Sequence, residues 1–304
     1  MLVIVGGSTA SGKTDFAASL AKKLNTDIIS ADSMQIYQGM DIGTAKASDS
    51  EIGVVQHCID IAKPSTPFTV VDYRDSAEKA IINIENDKKI ALVVGGTGFY
   101  INSLLFSLEY GAERNKKLES QLKTELELHG ALHLHSKLAM LDFEAAQKIH
   151  PNNTRRLVRA LAVTMCKGSF SSQNTPKTLL RPYKIYVLNA PSRAALYARI
   201  NERVDKMISL GLESEVERLL KSGIDFSMQS MQGIGYKEWA GYFQGNLSIP
   251  EVADLIKKNT RAYAKRQETW FNNQYELTNK ITIANSSDID KHTDIIAKLL
   301  LNTL

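Results

Sequence analysis

Residues 7–14, Gly7-Ser8-Thr9-Ala10-Ser11-Gly12-Lys13-Thr14, follow the spacing G-x-x-x-x-G-K-[ST]. That spacing describes a loop whose backbone N–H groups wrap a phosphate at a helix N-terminus. Gly7 and Gly12 permit backbone angles and a close approach that side chains would forbid. Lys13 brings a point charge to the terminal phosphate oxygens, and the Thr14 hydroxyl is placed to ligate Mg²⁺. Asp32 closes a second apolar run, Asp27 to Ser30, where α/β sheets put their chemistry. A carboxylate there binds Mg²⁺, takes a proton from an acceptor, or only caps a turn. Thr97, after Gly95 and Gly96, stands at the mouth of a helix as a hydrogen-bond donor. A Walker-type NTPase usually carries an acid for Mg²⁺ at the end of this strand. Here Ile90 to Val94 ends in glycines, which disfavours a motor or switch GTPase and favours a kinase-like or group-transfer enzyme.

The elements that position these residues are legible. Leu2 to Val5 reads as a buried strand, and Phe16, Leu20 and Leu24 repeat at helical spacing, so strand, loop and helix follow in the order the phosphate loop requires. A helix is predicted over Val70–Glu85 with Val71, Ala77, Ile81 and Ile84 inward, then a strand to Val94 and a helix over Phe99–Phe106. From Ala112 to about Ser172 the texture turns helical, with Leu118, Leu122, Leu126 and Leu128 as one stripe and Leu132 to Leu141 as another. Tyr183 to Leu188 resumes the sheet. The next helix turns Leu196, Ile200, Val204 and Met207 inward and carries Arg199, Arg203 and Lys206 on an adjoining face. Arginines on such a helix neutralise a leaving phosphate in P-loop transferases, or form a plain solvated face. A glycine-marked turn at Gln232–Glu238, a long helix over Pro250–Phe271, an edge strand at Ile281–Ala284 and a last helix over Ile289–Leu301 complete the chain. The expected fold is α/β: a P-loop NTPase-like parallel sheet flanked by helices. Its catalytic core comprises residues 1–111 and 179–304, with a helical insertion domain at 112–178. His129, His133 and His135, irregularly spaced and without cysteines, read as polar surface residues rather than a metal site.

Composition narrows the partners. A hydrophobic fraction of 43% is ordinary for a globular chain. No apolar run approaches the ~20 residues that span a bilayer. The first strand runs directly into the glycine loop, so it is not read as a signal peptide. Cys58 and Cys166, far apart, are expected as reduced core thiols of a cytoplasmic protein. The net charge is +4, yet the 57 residues from Ala145 to Asn201 hold ten Lys or Arg and no acid, so the remainder is acidic. Such a block is the footprint of a polyanionic partner, the alternative being a solvated basic face. Within it Asn153 or Thr154 caps a helix presenting Arg155, Arg156 and Arg159, of which Arg155 and Arg159 share a face suited to phosphate. Gly168 to Lys177 has the composition of a mobile loop. The Pro250–Phe271 helix interleaves Lys257, Lys258, Arg261, Lys265 and Arg266 with Tyr263, Trp270 and Phe271, a mixture that suits RNA, the aromatics suiting a core equally.

Six stretches together resemble the bacterial tRNA dimethylallyltransferases, also called tRNA isopentenyltransferases: GSTASGKT (7–14), ADSMQIYQGMDIGTAK (31–46), VVGGTGFYINSL (93–104), HPNNTRRLVRAL (150–161), QGIGYKEW (232–239) and TRAYAKRQETWF (260–271). The chain departs from the family at Ser8 (usually Pro), Gln56-His57 (usually two His), Asn153 (usually Asp) and Glu119 (commonly Arg), and carries no Cys/His zinc element such as many eukaryotic members have. The resemblance implies transfer of a dimethylallyl group from dimethylallyl diphosphate to the exocyclic amine of the adenosine 3′ of the anticodon, in tRNAs reading codons that begin with U. It implies that Gly7, Ser8, Thr9, Ala10, Ser11, Gly12, Lys13 and Thr14 hold the diphosphate, with Mg²⁺ on Thr14 and with Arg199 or Arg203. Asp32 would be the base and Thr97 would hold the acceptor. Asp32, Ser33, Met34, Gln35, Thr97, Arg155, Arg156, Leu157, Val158 and Arg159 would contact tRNA, and the enzyme would be a monomer. An ATP-dependent small-molecule kinase shares the first strand, loop and helix but leaves the basic block unexplained. A non-catalytic RNA-binding P-loop protein would not need Asp32.

Overall fold

In the computed structural model, which describes residues 1–107, 115–171, 178–275 and 279–302, the first apolar run is a strand buried at every position, β1 (Leu2–Gly7). Strands covered on both faces read as unbroken apolar runs, which is why Leu2 to Val5 shows no alternation in sequence. The alternation appears in space, where Leu2 and Ile4 join one core cluster and Val3 and Val5 another.

After β1 come α1 (Lys13–Leu24), β2 (Ile28–Ser30), α2 (Asp49–Ile52), β3 (Gln56–His57), α3 (Val70–Asn86), β4 (Ala91–Gly95) and α4 (Gly98–Leu105). Three helices follow in a separate unit, α5 (Lys116–Leu141), α6 (Phe143–Lys148) and α7 (Thr154–Lys167). The sheet then resumes with β5 (Tyr183–Asn189), α8 (Arg193–Ser209), α9 (Leu212–Lys221), α10 (Ala240–Phe243), α11 (Ile249–Gln274), β6 (Asn279–Thr282) and α12 (Ser286–Leu301). Strand order is β3-β2-β4-β1-β5-β6, and every pairing is parallel. Parallel strands end on the same side, so the loops after β1, β2 and β4 gather at one edge of the sheet. Tyr73, Ile101, Val204, Val216 and Phe271, from α3, α4, α8, α9 and α11, fill one core. Phe16 and Leu20 of α1 and Ile296 and Leu300 of α12 fill the other. The four inward residues expected on α8 are all buried.

The chain divides into two compact units, residues 1–106 with 179–304, and residues 107–178. The boundary expected at 111 and 112, and residues 172–177 of the expected mobile stretch, lie outside the described residues. In the smaller unit α5 is broken at Gly130, whose φ of 81° and ψ of 171° are not helical. Leu118 and Leu126 pack partly buried on the face of Leu122, whereas Leu128 and Leu132 lie two residues off the inward positions. Leu122, Leu134 and Leu138 are buried, while Leu128 and Leu132 are 73% and 74% exposed. Asp142 caps α6 and Asn153 caps α7, each accepting a backbone N–H of the first turn. A ring nitrogen of His135 lies 3.0 Å from the carbonyls of Ala146 and Ile149, and His133 contacts Glu125.

Two expectations need correction. Cys58 is buried but Cys166 is exposed, so only one thiol is a core residue. The acid-free run is also not acid-free in space: Lys148 pairs with Glu144, Arg159 with Glu119 at 3.2 Å and Arg181 with Glu78 at 2.6 Å. Each acid comes from a segment outside the run. Among the described residues no helix is long and apolar enough to cross a membrane.

Candidate active site

A cavity of about 290 Å³ opens where β1, β2 and β4 end, walled by Thr9, Lys13, Asp32, Gln35, Arg203 and Gln267 among others. Gly12 stands at the N-cap of α1 with φ 89°, a left-handed angle that glycine adopts without strain, and no side chain caps the helix. Among the described residues the first-turn N–H groups therefore have neither a helical partner nor a side-chain one, an arrangement that suits an anion. Ser8, Ala10 and Ser11 are buried, so they contribute backbone to the loop, and the Ser11 hydroxyl is a buried atom without a partner among the described residues.

Two cations face this seat. Lys13 folds back so that Nζ donates to the Ser8 carbonyl at 2.6 Å. Burial, and then the nearby Arg203, push its pKa down to about 7, although Asp32 pulls the other way. Arg203, on α8, reaches Thr9 with Nη1 3.5 Å from Oγ1, and burial lowers its pKa also. Arg199, one turn earlier, instead donates to the carbonyls of Ile283 and Ala284 at 3.0 and 2.8 Å. Of the two arginines that the sequence left undecided, only Arg203 lines the cavity.

Asp32 and Thr97 come together because the turns after β2 and β4 are laced. The Ala31 N–H donates to the Val94 carbonyl at 2.7 Å, and the Thr97 N–H donates to the Ala31 carbonyl at 3.1 Å. Asp32 Oδ1 accepts the N–H groups of Met34 and Gln35 at 2.8 and 3.4 Å, an Asx turn. Its Oδ2 has no hydrogen-bond partner among the described residues. The turn-capping and reactive readings of Asp32 are thus compatible, one oxygen for each. Thr97 Oγ1 accepts the Ser33 N–H at 3.1 Å and donates to Ser33 Oγ at 3.3 Å. Gln35 lines the cavity and donates to the Thr44 carbonyl at 3.3 Å, whereas Met34 packs against the core. The loop carrying Thr44 is held by Glu215, a buried carboxylate that accepts the N–H groups of Asp41, Ile42 and Gly43 and the Tyr236 hydroxyl.

On α7, Leu157 and Val158 are buried in the core of the smaller unit, so their side chains face inward. Arg155 and Arg156 are exposed, and Arg159 is paired with Glu119.

Sequence reasoning named Tyr263 as an aromatic suited to RNA or to a core, not as a cavity residue, and missed Gln267; the two stand four residues apart on α11 and enter the same cavity. Their spacing puts both on one helix face, but nothing in the sequence says which face meets the phosphate loop. Burial first, and then the Asp32 charge, raise the Tyr263 pKa to about 12, so it remains a neutral hydroxyl.

The donor set suits Mg²⁺. The Thr14 hydroxyl has no partner among the described residues, and Asp15 and Asp32 line the cavity with it. Mg²⁺ takes hard oxygen donors, typically one or two from protein with the rest from phosphate and water. The described residues contain no group of three or more His, Cys, Asp or Glu that could hold a metal.

A sequence profile described as IPP transferase matches residues 35–274. The chain is 45% identical over 274 residues to the tRNA dimethylallyltransferase of Clostridioides difficile (strain 630), covering 89% of this chain and 88% of that protein. It is 44% identical over 281 residues to the protein of the same name from Bacillus subtilis (strain 168), covering 91% and 89%. The full-length tRNA isopentenylpyrophosphate transferase of Bacillus halodurans superposes with a TM-score of 0.74 at 40% identity, covering 99% of this chain and 95% of that one. A eukaryotic dimethylallyltransferase described as acting on tRNA superposes with a TM-score of 0.79 at 25% identity, over 99% and 78%. The profile match takes in α7 and α11 alike, and the chain belongs to the IPP transferase family of tRNA dimethylallyltransferases.

Proposed function

We propose that this chain transfers a dimethylallyl group from dimethylallyl diphosphate to the exocyclic amine of the adenosine immediately 3′ of the anticodon, in tRNAs reading codons that begin with U. The observation that carries the reading is one cavity in which Lys13 and Arg203 stand with a carboxylate that keeps one oxygen free. An anionic leaving group fits the first, and an amine about to lose a proton fits the second.

As the C–N bond forms and the C–O bond breaks, negative charge grows on the departing diphosphate. The first-turn N–H groups of α1, Lys13 and Arg203 are donors fixed where that charge appears. Mg²⁺ bound by Thr14 would spread the same charge over the diphosphate oxygens. An adenine amine is a weak nucleophile because its lone pair is shared with the ring. Asp32 Oδ2 accepts its proton as the bond forms, a contribution of ~10²–10⁴-fold. Thr97, pinned by Ser33, orients the amine beside Asp32. The base must be extruded from the RNA to enter the cavity. The exposed Arg155 and Arg156 of the smaller unit hold the RNA backbone. This reading places a monomeric catalyst in the cytoplasm, with tRNA as its macromolecular partner.

Incubation with labelled dimethylallyl diphosphate, labelled ATP and bulk tRNA tests it. Isoprenoid label in tRNA is the expected result. Phosphoryl transfer from ATP with no isoprenoid in RNA would overturn the reading in favour of a kinase.

A further inference from the structure

α11 sends one neutral side chain to two walls of the cavity. Gln267 is 6% exposed. Its Oε1 accepts the Thr9 N–H at 2.8 Å, and its Nε2 donates to the Gly96 carbonyl at 2.9 Å. The partners fix the amide's orientation, since an N–H can meet only the oxygen and a carbonyl only the NH₂ group. Thr9 belongs to the phosphate loop after β1, and Gly96 to the turn after β4 that carries Thr97. The parallel pairing of β1 and β4 ends at Gly6 opposite Gly95. Beyond it, among the described residues, no backbone hydrogen bond joins the two loops, and Gln267 spans the gap. The fit is close enough that a Cβ on Gly96 would collide with Nε2.

We infer that Gln267 is a positioning residue that sets the separation between the diphosphate seat and the Thr97–Asp32 side of the cavity. The inference rests on the transferase reading of that cavity. In that reaction the C–O bond to diphosphate breaks as the C–N bond forms, the diphosphate leaves with the electron pair, and the amine proton passes to Asp32. Reacting atoms must be held at about 3–3.5 Å, and a displacement of ~1 Å costs ~10²-fold in rate. A brace of two neutral hydrogen bonds adds no charge to the site. It acts on the reach between donor and acceptor, not on the attraction for either. Tyr263, one turn earlier on the same face, lines the cavity beside it.

Two variants test the brace. Gln267→Leu keeps the bulk and removes both hydrogen bonds. Gln267→Glu keeps the acceptor for Thr9 but regains a donor for Gly96 only when protonated, which burial moves toward neutral pH. With labelled dimethylallyl diphosphate and tRNA, Gln267→Leu is expected to lose ~10²-fold in kcat with little change in the donor KM or in tRNA binding. Gln267→Glu is expected to gain activity relative to wild type as the pH is lowered, because protonation restores the second bond. Wild-type kcat in Gln267→Leu, or a Gln267→Glu profile parallel to wild type, would overturn the inference. Should Gln267→Leu fail to fold, the Gln267→Glu profile alone decides. Failure of the unaltered chain to prenylate tRNA would instead overturn the transferase reading.

Discussion

Lys13 and Arg203 stand together, both half-buried, at the cavity wall, and burial followed by the charge of Arg203 pushes the Lys13 pKa down to about 7. A bound diphosphate gives Lys13 an anionic partner and raises that pKa. The sign follows directly. Below about pH 7 Lys13 is already protonated and binding takes up nothing. Above it, binding takes up a proton, and affinity falls as pH rises until the bound-state pKa is reached. Calorimetry of diphosphate binding in buffers of different ionisation enthalpy, at about pH 8, should register this uptake, and Lys13→Met should abolish it. Asp32 has a different signature. Asp32→Ala is expected to lower turnover by ~10²–10⁴-fold while tRNA binding stays largely intact. A variant that kept most of its turnover would remove Asp32 from the base role.

At the scale of elements, what the sequence disclosed depended on how locally each feature is determined. β1, its loop and α1 are contiguous, and their pattern carried the whole arrangement. The inward face of α8 followed from spacing alone, but Arg199 and Arg203 lie one turn apart on it. Only the carbonyls at the end of β6, more than eighty residues away, divert Arg199. Gln267 was hidden for the same reason, because its partner Thr9 is 258 residues distant. The α5 stripes misled because Leu128 and Leu132 each lie two residues off the face that carries Leu122, Leu126, Leu134 and Leu138, and the apolar count did not separate the two faces. The cap of α6 gives a prediction at this scale. Burial favours the neutral form of Asp142, but the N–H groups of Ser171 and Ala145 and the hydroxyls of Ser171 and Ser169 outweigh it and bring its pKa to about 2. A depressed carboxyl pKa contributes stability above its unfolded value of ~3.9 and loses it as pH falls through about 2. Asp142→Ala should therefore destabilise the smaller unit by ~1–2 kcal/mol near neutral pH. Thermal melts of the two proteins should converge as the pH approaches 2.

For the whole molecule, charge was the least reliable guide. A one-dimensional count found a basic block, and folding returned acids to three of its cations. Among the described cations of α7, Arg155 and Arg156 remain exposed, at the opening of the helix that Asn153 caps. Replacing both with Ala should weaken tRNA binding and make its dependence on log salt shallower by roughly 0.7–0.9 per arginine. An unchanged slope in a filter-binding titration would assign the RNA grip to other residues.

The route of the chain into and out of the smaller unit has a consequence of its own. Phe106 and Leu179 form an antiparallel bridge, the Leu180 N–H donates to the Leu105 carbonyl at 2.8 Å, and the Ser107 N–H donates to the Thr178 carbonyl at 2.8 Å. The two crossing segments are zipped like the base of a hairpin, so the residues between them behave as a very long hairpin loop. Closing a loop costs only ~0.6 kcal/mol more for each doubling of its length. The larger unit therefore gives up little stability by carrying so large a loop. It is open to exchange: a tight turn, or a differently shaped module, could be spliced at that base while the cavity, all of whose wall residues lie in the larger unit, is left intact.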